Sequence, residues 1–415
     1  MKRFLVVLLV LTVAGFAFAQ SPNTSLKGEL NLFAWLPDNP DIVVNWVAAF
    51  QKMYPNVKVN SQMMTGNTLI ENMQPRYAAK NMPDVFSNEL DAFSHSMVDG
   101  GVIADIGDTK AWSDMVPAMQ GAWTWNGVKY GISGGIATTL IYYNMDYFKK
   151  AGITTLPRNW DEFMTVCEKL KSAGITPLIW TGAFPNMFSN TCLSWGLANF
   201  VYPMEPNYRA NLANTKYDFS KNPGWLEIWQ KMDTLAKKGY LMDGFISTDY
   251  AQSQDFFNKG DAAMLFAGTW QATYLIDKGS FQTGLFLPPW NDKGKELVAV
   301  NASETGWSVG KNGNEKLGKV LLDFMFHDHW AIYQNPRGSV SPFKMDKQDK
   351  LNPKLAAVMV QLNKISRYTD LFARVVPSAV STQAITLSQS LYVDTTPQQV
   401  IDGLTKAQND WFATK

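Results

Sequence analysis

Short apolar segments alternate with longer amphipathic ones through the first part of the chain. Residues 30–35, 57–59 and 84–86 have the apolar content of strands, whereas 42–54 and 68–79 repeat apolar residues at helical spacing. Strands joined by helices pair in parallel, because each helix returns the chain to the same end of the sheet. The sequence therefore predicts an α/β fold, with a sheet flanked by helices on both faces.

The rest of the chain continues this alternation and is too long for one hydrophobic core. Helices are predicted over 160–173 and 223–238, with short strands at 177–180 and 262–266. A chain of 415 residues exceeds the size at which single cores stop growing, so we expect two lobes. The glycine-rich residues 131–135 are a predicted crossing between the lobes.

The N-terminus has the features of a secretory signal peptide over residues 1–19. Lys2 and Arg3 precede an apolar run that is too short to span a bilayer, and Ala17 and Ala19 place small residues before a cleavage point. We therefore expect an exported protein that diffuses freely in a bacterial periplasm.

The charge balance and the aromatic content indicate what kind of partner the protein binds. The 37 basic and 36 acidic residues nearly balance, which gives no support for nucleic acid or an anionic membrane. The chain also contains 15 Trp and 15 Tyr, residues that stack on flat apolar faces while they hydrogen-bond at their edges. This composition suits a small-molecule site.

Cys167 and Cys192 are the only cysteines. An exported protein can form a disulfide, and closing a loop of this length would stabilise the fold by roughly 3 kcal/mol. Two buried thiols in one helix contact are the alternative. The sequence leaves both open.

Several short motifs together resemble one family. The chain is similar to bacterial extracellular solute-binding protein family 1, the substrate-binding proteins of ABC sugar importers, over almost all of the sequence after the signal peptide. The order and spacing of the motifs carry the resemblance, and they lie at Met82 to Val85, Tyr130 to Asn144, Ala151 to Glu162, Phe257 to Met264 and Gly268 to Trp270.

This resemblance implies a two-lobe periplasmic-binding-protein fold of type II with three crossings between lobes, near Ser133, Ser303 and Pro377. Lobe 1 would comprise 20–133 and 304–376, and lobe 2 would comprise 134–303 and 377–415. The implied partners are a carbohydrate and the transmembrane subunits of an ABC permease, and we expect a monomer that needs no cofactor or metal. Ligand binding is expected to close the lobes about the crossings.

The resemblance also places candidate ligand contacts at strand ends that face a cleft. In the first lobe they follow the first and third strands, and an ionised carboxylate there can accept two sugar hydroxyls. Asp91 matches a sugar-binding aspartate of maltose-binding members, although Ala92 replaces the arginine that follows it there. The candidates in this lobe are Trp35, Asp38, Asn39, Asn88, Glu89 and Asp91.

In the second lobe and at the second crossing the candidates are tryptophans, for each of which core packing is an equal alternative. They are Trp180, Trp270 and Trp307. Arg337 could donate a fork of hydrogen bonds to hydroxyls, but a solvated loop arginine is the favoured interpretation. Asp84 is interpreted as structural.

Two short stretches match a serine-hydrolase motif, but the residues around them do not fit that motif. Ser133 and Ser308 both lie in G-x-S-x-G stretches, yet each is surrounded by strand-like residues instead of the strand, turn and helix of a nucleophile elbow. The function that we predict is capture of a neutral mono- or oligosaccharide for a permease. The alternatives are an exported glycoside-active enzyme and a binding protein for another small solute such as a polyol.

Overall fold

Two hydrophobic cores divide the chain into two lobes. The computed structural model describes residues 21–36, 39–64, 69–184, 189–214, 216–344, 353–362, 364, 367–368, 372 and 376–414. One cluster of buried apolar side chains comes from residues 30–132 and 307–343, and the other from 140–300 and 340–404. We call these the first and second lobes. The proposed signal peptide and Asp38 lie outside the described residues.

The first lobe is built on a five-stranded sheet in the order β2-β1-β3-β14-β6. β1 pairs in parallel with β2 and β3, and β14 runs antiparallel to both β3 and β6. The parallel part is the predicted α/β layer. The strands are β1 Gly28–Ala34, β2 Val57–Met63, β3 Val85–Asn88, β6 Ile132–Ser133 and β14 Gly306–Val309.

A four-stranded mixed sheet in the order β11-β8-β10-β9 forms the second lobe. β8 runs antiparallel to β10 and β11, and β10 runs parallel to β9. The strands are β8 Thr139–Asn144, β9 Leu178–Ile179, β10 Met264–Gly268 and β11 Thr283–Phe286. Small two-stranded ribbons complete the set: β4 Thr124–Trp125 with β5 Val128–Lys129, β7 Ile136–Ala137 with β13 Ala302–Ser303, and β12 Ala299–Val300 with β15 Arg367–Tyr368.

Helices cover the faces of both sheets, and several of them begin at a side-chain cap. Asn159, for example, accepts the backbone N–H of Glu162 at the start of its helix. In the first lobe the helices are α1 Asp41–Met53, α2 Leu69–Ala78, α3 Ala92–Asp99, Lys110–Asp114, Pro117–Ala122, Glu315–Asp323 and Ala331–Arg337. In the second they are Met145–Lys150, Trp160–Ser172, Tyr208–Asn214, Pro223–Lys237, Tyr250–Lys259, Ala272–Asp277, Pro353–Leu362, Ser378–Ser390 and Pro397–Ala413.

Shorter and wider helical turns supplement them. The turns of π type are Ser189–Leu193, Leu197–Val201 and Phe324–Asp328, and those of 3₁₀ type are Phe219–Lys221, Phe245–Ser247 and Thr269–Gln271. The short α-turn Ser194–Gly196 joins the first two π segments. No helix among the described residues combines the length and the apolar character that crossing a bilayer requires.

The chain passes between lobes at two described places, and one helix beyond them packs with the second lobe. The first passage follows β6 and the second precedes β14, close to the predicted Ser133 and Ser303. Residues Leu355, Val358 and Met359, however, pack in the second core. The helix Pro353–Leu362 therefore packs with the second core, although it falls within the 304–376 that the resemblance assigns to the first lobe. The division of the chain at Pro377 stays a prediction.

Both cysteines are buried free thiols. Burial raises the pKa of each thiol, which suppresses the reactive thiolate. We therefore expect that neither residue reacts with a maleimide in the native protein, that both react after denaturation, and that a reducing agent leaves the melting temperature unchanged. Intact mass before and after labelling provides the measurement. A mass two hydrogens short without reductant would instead indicate a disulfide.

Candidate functional site

The carboxyl ends of β3 in the first sheet and β10 in the second sheet both lie at the hinge between the lobes. In the first sheet β14 begins opposite the end of β3, with Gly306 paired to Asn88. In the second sheet β8 begins opposite the end of β10, with Thr139 paired to Gly268. The passages from β6 to β8 and from β13 to β14 therefore join the two carboxyl edges directly. Open α/β sheets bind ligands at such edges, which makes this the candidate site.

At the first-lobe edge, β1 ends at a half-buried tryptophan. The backbone N–H of Trp35 donates to the Ser87 hydroxyl at 2.9 Å, which ties the end of β1 to β3. Its indole Nε1 is buried and has no partner among the described residues. Asn39 follows and is also half-buried. Trp35 and Asn39 thus follow β1 at the sheet edge, and their contact with a ligand stays a prediction.

Asn88 lies at the end of β3, but its side chain is fully buried and engaged. Its Nδ2 donates to Ser308 at 2.9 Å, and its Oδ1 accepts the Ser94 hydroxyl at 2.6 Å and the Glu89 N–H at 2.9 Å. These bonds join β3, β14 and α3. The Asn88 side chain therefore holds the strands at this edge together and does not face solvent, whereas Glu89 is half-buried.

Asp91 caps the N-terminus of α3. Its Oδ1 accepts the Ser94 N–H at 2.7 Å, and its side chain is half-buried. A carboxylate can accept more than one hydrogen bond, so this capping role is compatible with the predicted contact to a sugar hydroxyl. The residue thus has a structural role that the sequence prediction did not include.

The two roles of Asp91 separate experimentally. Asp91→Ala is expected to lower the free energy of unfolding by about 1 kcal/mol through loss of the cap and to weaken ligand binding by about 1.5–3 kcal/mol. Asp91→Ser keeps a capping oxygen but removes the charge, so only the binding loss should remain. Urea titration and calorimetry give the two numbers. Equal affinity of Asp91→Ser and the parent protein would remove Asp91 from the site.

At the second-lobe edge, aromatic side chains cluster around Trp270. Its indole Nε1 donates to the Tyr250 hydroxyl at 2.7 Å, and Tyr250 packs against Phe184 with ring centroids 4.9 Å apart. All three rings are half-buried. Trp270 lies over Gly268, where a Cβ would come within 2.1 Å of the ring, so the close approach requires glycine. We call Phe184, Tyr250 and Trp270 the aromatic cluster.

Sequence reasoning named Trp270 as a candidate contact but did not name Tyr250 or Phe184, which the structure places beside it. Tyr250 begins a helix 20 residues before Trp270, and Phe184 follows β9 by five residues. An aromatic residue at a helix start carries no signal by itself. The alignment of β9 and β10 in one sheet brings the three together.

Trp307 and Trp180 lie in the cores. Trp307 is fully buried and packs edge to face on Trp46, with ring centroids 5.5 Å apart. Trp180 is 4% exposed and meets Phe266 edge to face at 6.1 Å. A ring without an open face cannot stack on a solute, so the structure does not bring these two predicted contacts to the edge in this conformation.

Arg337 is not a solvated loop residue, contrary to the favoured interpretation. It ends the helix Ala331–Arg337, is buried, and its Nε donates to Glu304 at 3.3 Å. It therefore offers no free guanidinium to a ligand at the surface, and its charge is compensated inside the protein.

The two serines of the G-x-S-x-G stretches lie in strands. Ser308 lies inside β14 and its hydroxyl donates to the Tyr130 carbonyl, while Ser133 ends β6 with its hydroxyl on the Gly135 carbonyl. Neither stands on a strand-to-helix elbow. Within the described ranges, no group of three or more His, Cys, Asp or Glu residues is placed to hold a metal ion.

Comparison with known proteins matches this geometry. A profile described as "Bacterial extracellular solute-binding protein" matches residues 36–328. The arabinooligosaccharide-binding protein of Bacillus subtilis (strain 168) is 24% identical over 393 residues, covering 84% of this chain and 88% of that protein. The sn-glycerol-3-phosphate-binding periplasmic protein of Brucella abortus (strain 2308) is 31% identical over 136 residues, covering 31% of this chain and 29% of that protein.

Among solved structures, one described as "Chitin oligosaccharide binding protein" superposes with a TM-score of 0.81 at 21% identity, covering 93% of this chain and 99% of that chain. Since the identity is low, the superposition establishes the fold alone. It is the two-lobe type II fold.

Proposed function

The chain belongs to the bacterial extracellular solute-binding protein family, and from this premise we propose that it captures a neutral oligosaccharide between its lobes for an ABC importer. The arabinooligosaccharide-binding relative covers most of the chain and gives the first support. The observation that carries the proposal is the aromatic cluster at the second-lobe sheet edge, together with the acidic side chains of Glu89 and Asp91 at the first-lobe edge. Aromatic faces stack on sugar rings, and carboxylates accept their hydroxyls.

The same edges argue against a phosphorylated ligand. The candidate contacts named at these edges are acidic, amide and aromatic side chains, and none of them is a lysine or arginine. Phosphate recognition uses arginine forks or lysine, and a phosphate beside Glu89 and Asp91 would be repelled. We therefore favour a neutral sugar over glycerol 3-phosphate, the ligand named for the Brucella relative.

The proposed mechanism is closure of the lobes on the ligand. Trp35, Asn39, Glu89 and Asp91 belong to one lobe and the aromatic cluster to the other, so a ligand that contacts both favours the closed form. Moving the equilibrium from 1:99 to 99:1 requires about 5.5 kcal/mol of preference for that form. The closed form would then dock on the permease.

The family is extracellular, so the chain is an exported protein. The finer proposals are cleavage after residue 19, residence in the periplasm and action as a monomer that does not alter its ligand. Intact recovery of the sugar after incubation separates this function from that of an exported glycoside-active enzyme.

A thermal-shift panel tests the function. We expect neutral oligosaccharides, including arabino- and chito-oligosaccharides, to contain a ligand that raises the melting temperature, since ligand at 100 times Kd stabilises by about 2.7 kcal/mol. Glycerol 3-phosphate and free polyols should have no effect. A rise with glycerol 3-phosphate alone would overturn the proposal. With the sugar identified, small-angle scattering should show a smaller radius of gyration at saturation, and an unchanged radius would contradict closure.

A further inference from the structure

Three segments of the chain meet at the hinge. Residues 134–137 and 302–305 pair through β7 and β13, and Ile136 also donates its N–H to the Val340 carbonyl at 2.8 Å. We call 134–137, 302–305 and 339–340 the hinge ribbon. A rotation of one lobe against the other must change backbone angles within or beside this ribbon.

One buried side chain contacts all three segments. Glu304 donates its own N–H to the Gly135 carbonyl at 2.8 Å. Its Oε2 accepts the Ser339 hydroxyl at 2.8 Å, the Tyr333 hydroxyl at 2.9 Å and the Arg337 Nε at 3.3 Å. The carboxylate is thus a hub between the second segment, the third segment and the helix Ala331–Arg337, which we call the hinge helix.

The first segment has no room for a side chain beside this hub. A Cβ on Gly135 would lie 2.8 Å from the Glu304 carboxyl carbon and 2.9 Å from its Oε1. A Cβ on Gly134 would lie 2.7 Å from the Tyr333 ring. The two glycines therefore let the first passage run directly against the carboxylate and its partner.

The hinge helix connects the hub with both lobes. Tyr333 belongs to the first core, and it stacks on Trp46 with centroids 5.7 Å apart. At its other end Gly338 lies against Thr273, three residues after Trp270 of the aromatic cluster. A movement of the hinge helix at Glu304 would therefore displace residues that lie beside Trp270.

The charges at the hub are strongly desolvated. Burial raises the pKa of the Glu304 carboxyl, and Arg337 with the hydroxyls of Ser339 and Tyr333 partly offsets this. The second oxygen, Oε1, has no partner among the described residues. Removing one member of such a pair leaves an uncompensated buried charge, so the geometry of the hub resists change.

We propose that Glu304 is a positioning residue that, through Arg337 and Ser339, holds the hinge ribbon together and sets the angle between the lobes in the unliganded protein. Its consequence for affinity rests on the proposed function. The apparent Kd of a closing protein equals the intrinsic Kd divided by the fraction of closed-competent molecules, so a shifted resting angle changes affinity without any change at the sheet edges.

The test measures the distance between lobes without ligand. Spin labels at Val44→Cys and Met204→Cys report it, because these side chains are 62% and 58% exposed in opposite lobes and the native thiols are buried. Glu304→Gln and Arg337→Gln should each broaden and shift the distance distribution. With the sugar identified by the thermal-shift panel, the apparent Kd should also change by about tenfold. It should fall if the distance between lobes shortens and rise if that distance lengthens.

A matched variant separates this role from stability. Glu227→Gln breaks a half-buried ion pair with Lys231, 3.0 Å apart in the second lobe and away from the hinge. It should lower the melting temperature but leave the distance distribution unchanged. Should Glu304→Gln not fold, Ser339→Ala, which removes one bond to the hub, decides by the same measurement with a smaller broadening.

A distribution identical to that of the parent protein in whichever of these hub variants folds would overturn the proposal. An equal change in Glu227→Gln would overturn it too, because general loosening would then explain the result. The distance measurement needs no ligand. If the protein bound no sugar, the proposed function would be wrong, but the distance measurement would still test the role of Glu304.

Discussion

Replacing Asp84 with alanine is expected to lower the free energy of unfolding by about 3 kcal/mol. The carboxylate is buried at the start of β3, where Oδ2 accepts the Asn31 N–H at 2.7 Å and Oδ1 accepts the amides of Asn312 and Asn314 at 2.8 and 3.2 Å. It joins β1, β3 and the loop after β14, so its loss leaves several donors unsatisfied. Urea unfolding followed by fluorescence gives the value.

Asp99→Ala is the matched control. Asp99 also accepts two side-chain hydrogen bonds, from Trp125 Nε1 and Asn126 Nδ2, but it is exposed at the end of α3. Water can replace those bonds, so the loss should be well under 1 kcal/mol. Ligand affinity should be unchanged in both variants. Equal stability losses would show that burial of the Asp84 network contributes nothing, and lost affinity would place Asp84 at the site.

The sequence predicted the strands and helices well where a local pattern determines them. β1, α1, β2, α2 and β3 fall within a few residues of the predicted segments, because apolar spacing and proline at position 55 are local signals. The hinge helix was not predicted. Pro336 and Gly338 resemble a loop, and only packing against Tyr333 and Glu304 makes Arg337 a buried residue.

The assignment of segments to lobes depended on contacts that no local pattern contains. An amphipathic helix such as Pro353–Leu362 does not by its sequence specify which sheet it covers. Its apolar face packs in the second core. The predicted boundary at residue 376 came from the resemblance and stays a prediction.

Candidate ligand contacts could be located only to strand ends. Trp270 and Trp307 are both tryptophans beside a glycine-containing strand, yet Trp307 lies within β14 and faces the core whereas Trp270 follows β10. A ring that follows the end of its strand is partly exposed at the sheet edge, whereas a ring within the strand is buried in the core. Tyr250 and Phe184 reach the site through tertiary contacts alone, which is why the sequence did not identify them.

Trp270→Ala is expected to weaken binding of the sugar by about 30-fold or more, which corresponds to about 2 kcal/mol. The substitution removes the stacking face at the second-lobe edge and leaves the Tyr250 hydroxyl without its indole donor. Trp270→Phe keeps a ring but not the Nε1 donor, so its loss should be smaller. Calorimetry with the sugar identified by thermal shift measures both.

Trp125→Ala is the control for a lost, partly exposed tryptophan. Trp125 is 36% exposed on the β4–β5 hairpin and stacks on His95 at 3.8 Å, on the first lobe and away from the strand ends that form the candidate site. Its removal should change stability but not affinity. If Trp270→Ala bound the sugar as tightly as the parent protein, the ligand would not reach the aromatic cluster, and the second-lobe half of the proposed site would be wrong. If both variants lost affinity equally, the effect would reflect general loosening and not stacking, because only Trp270 lies at the edge where the two lobes close.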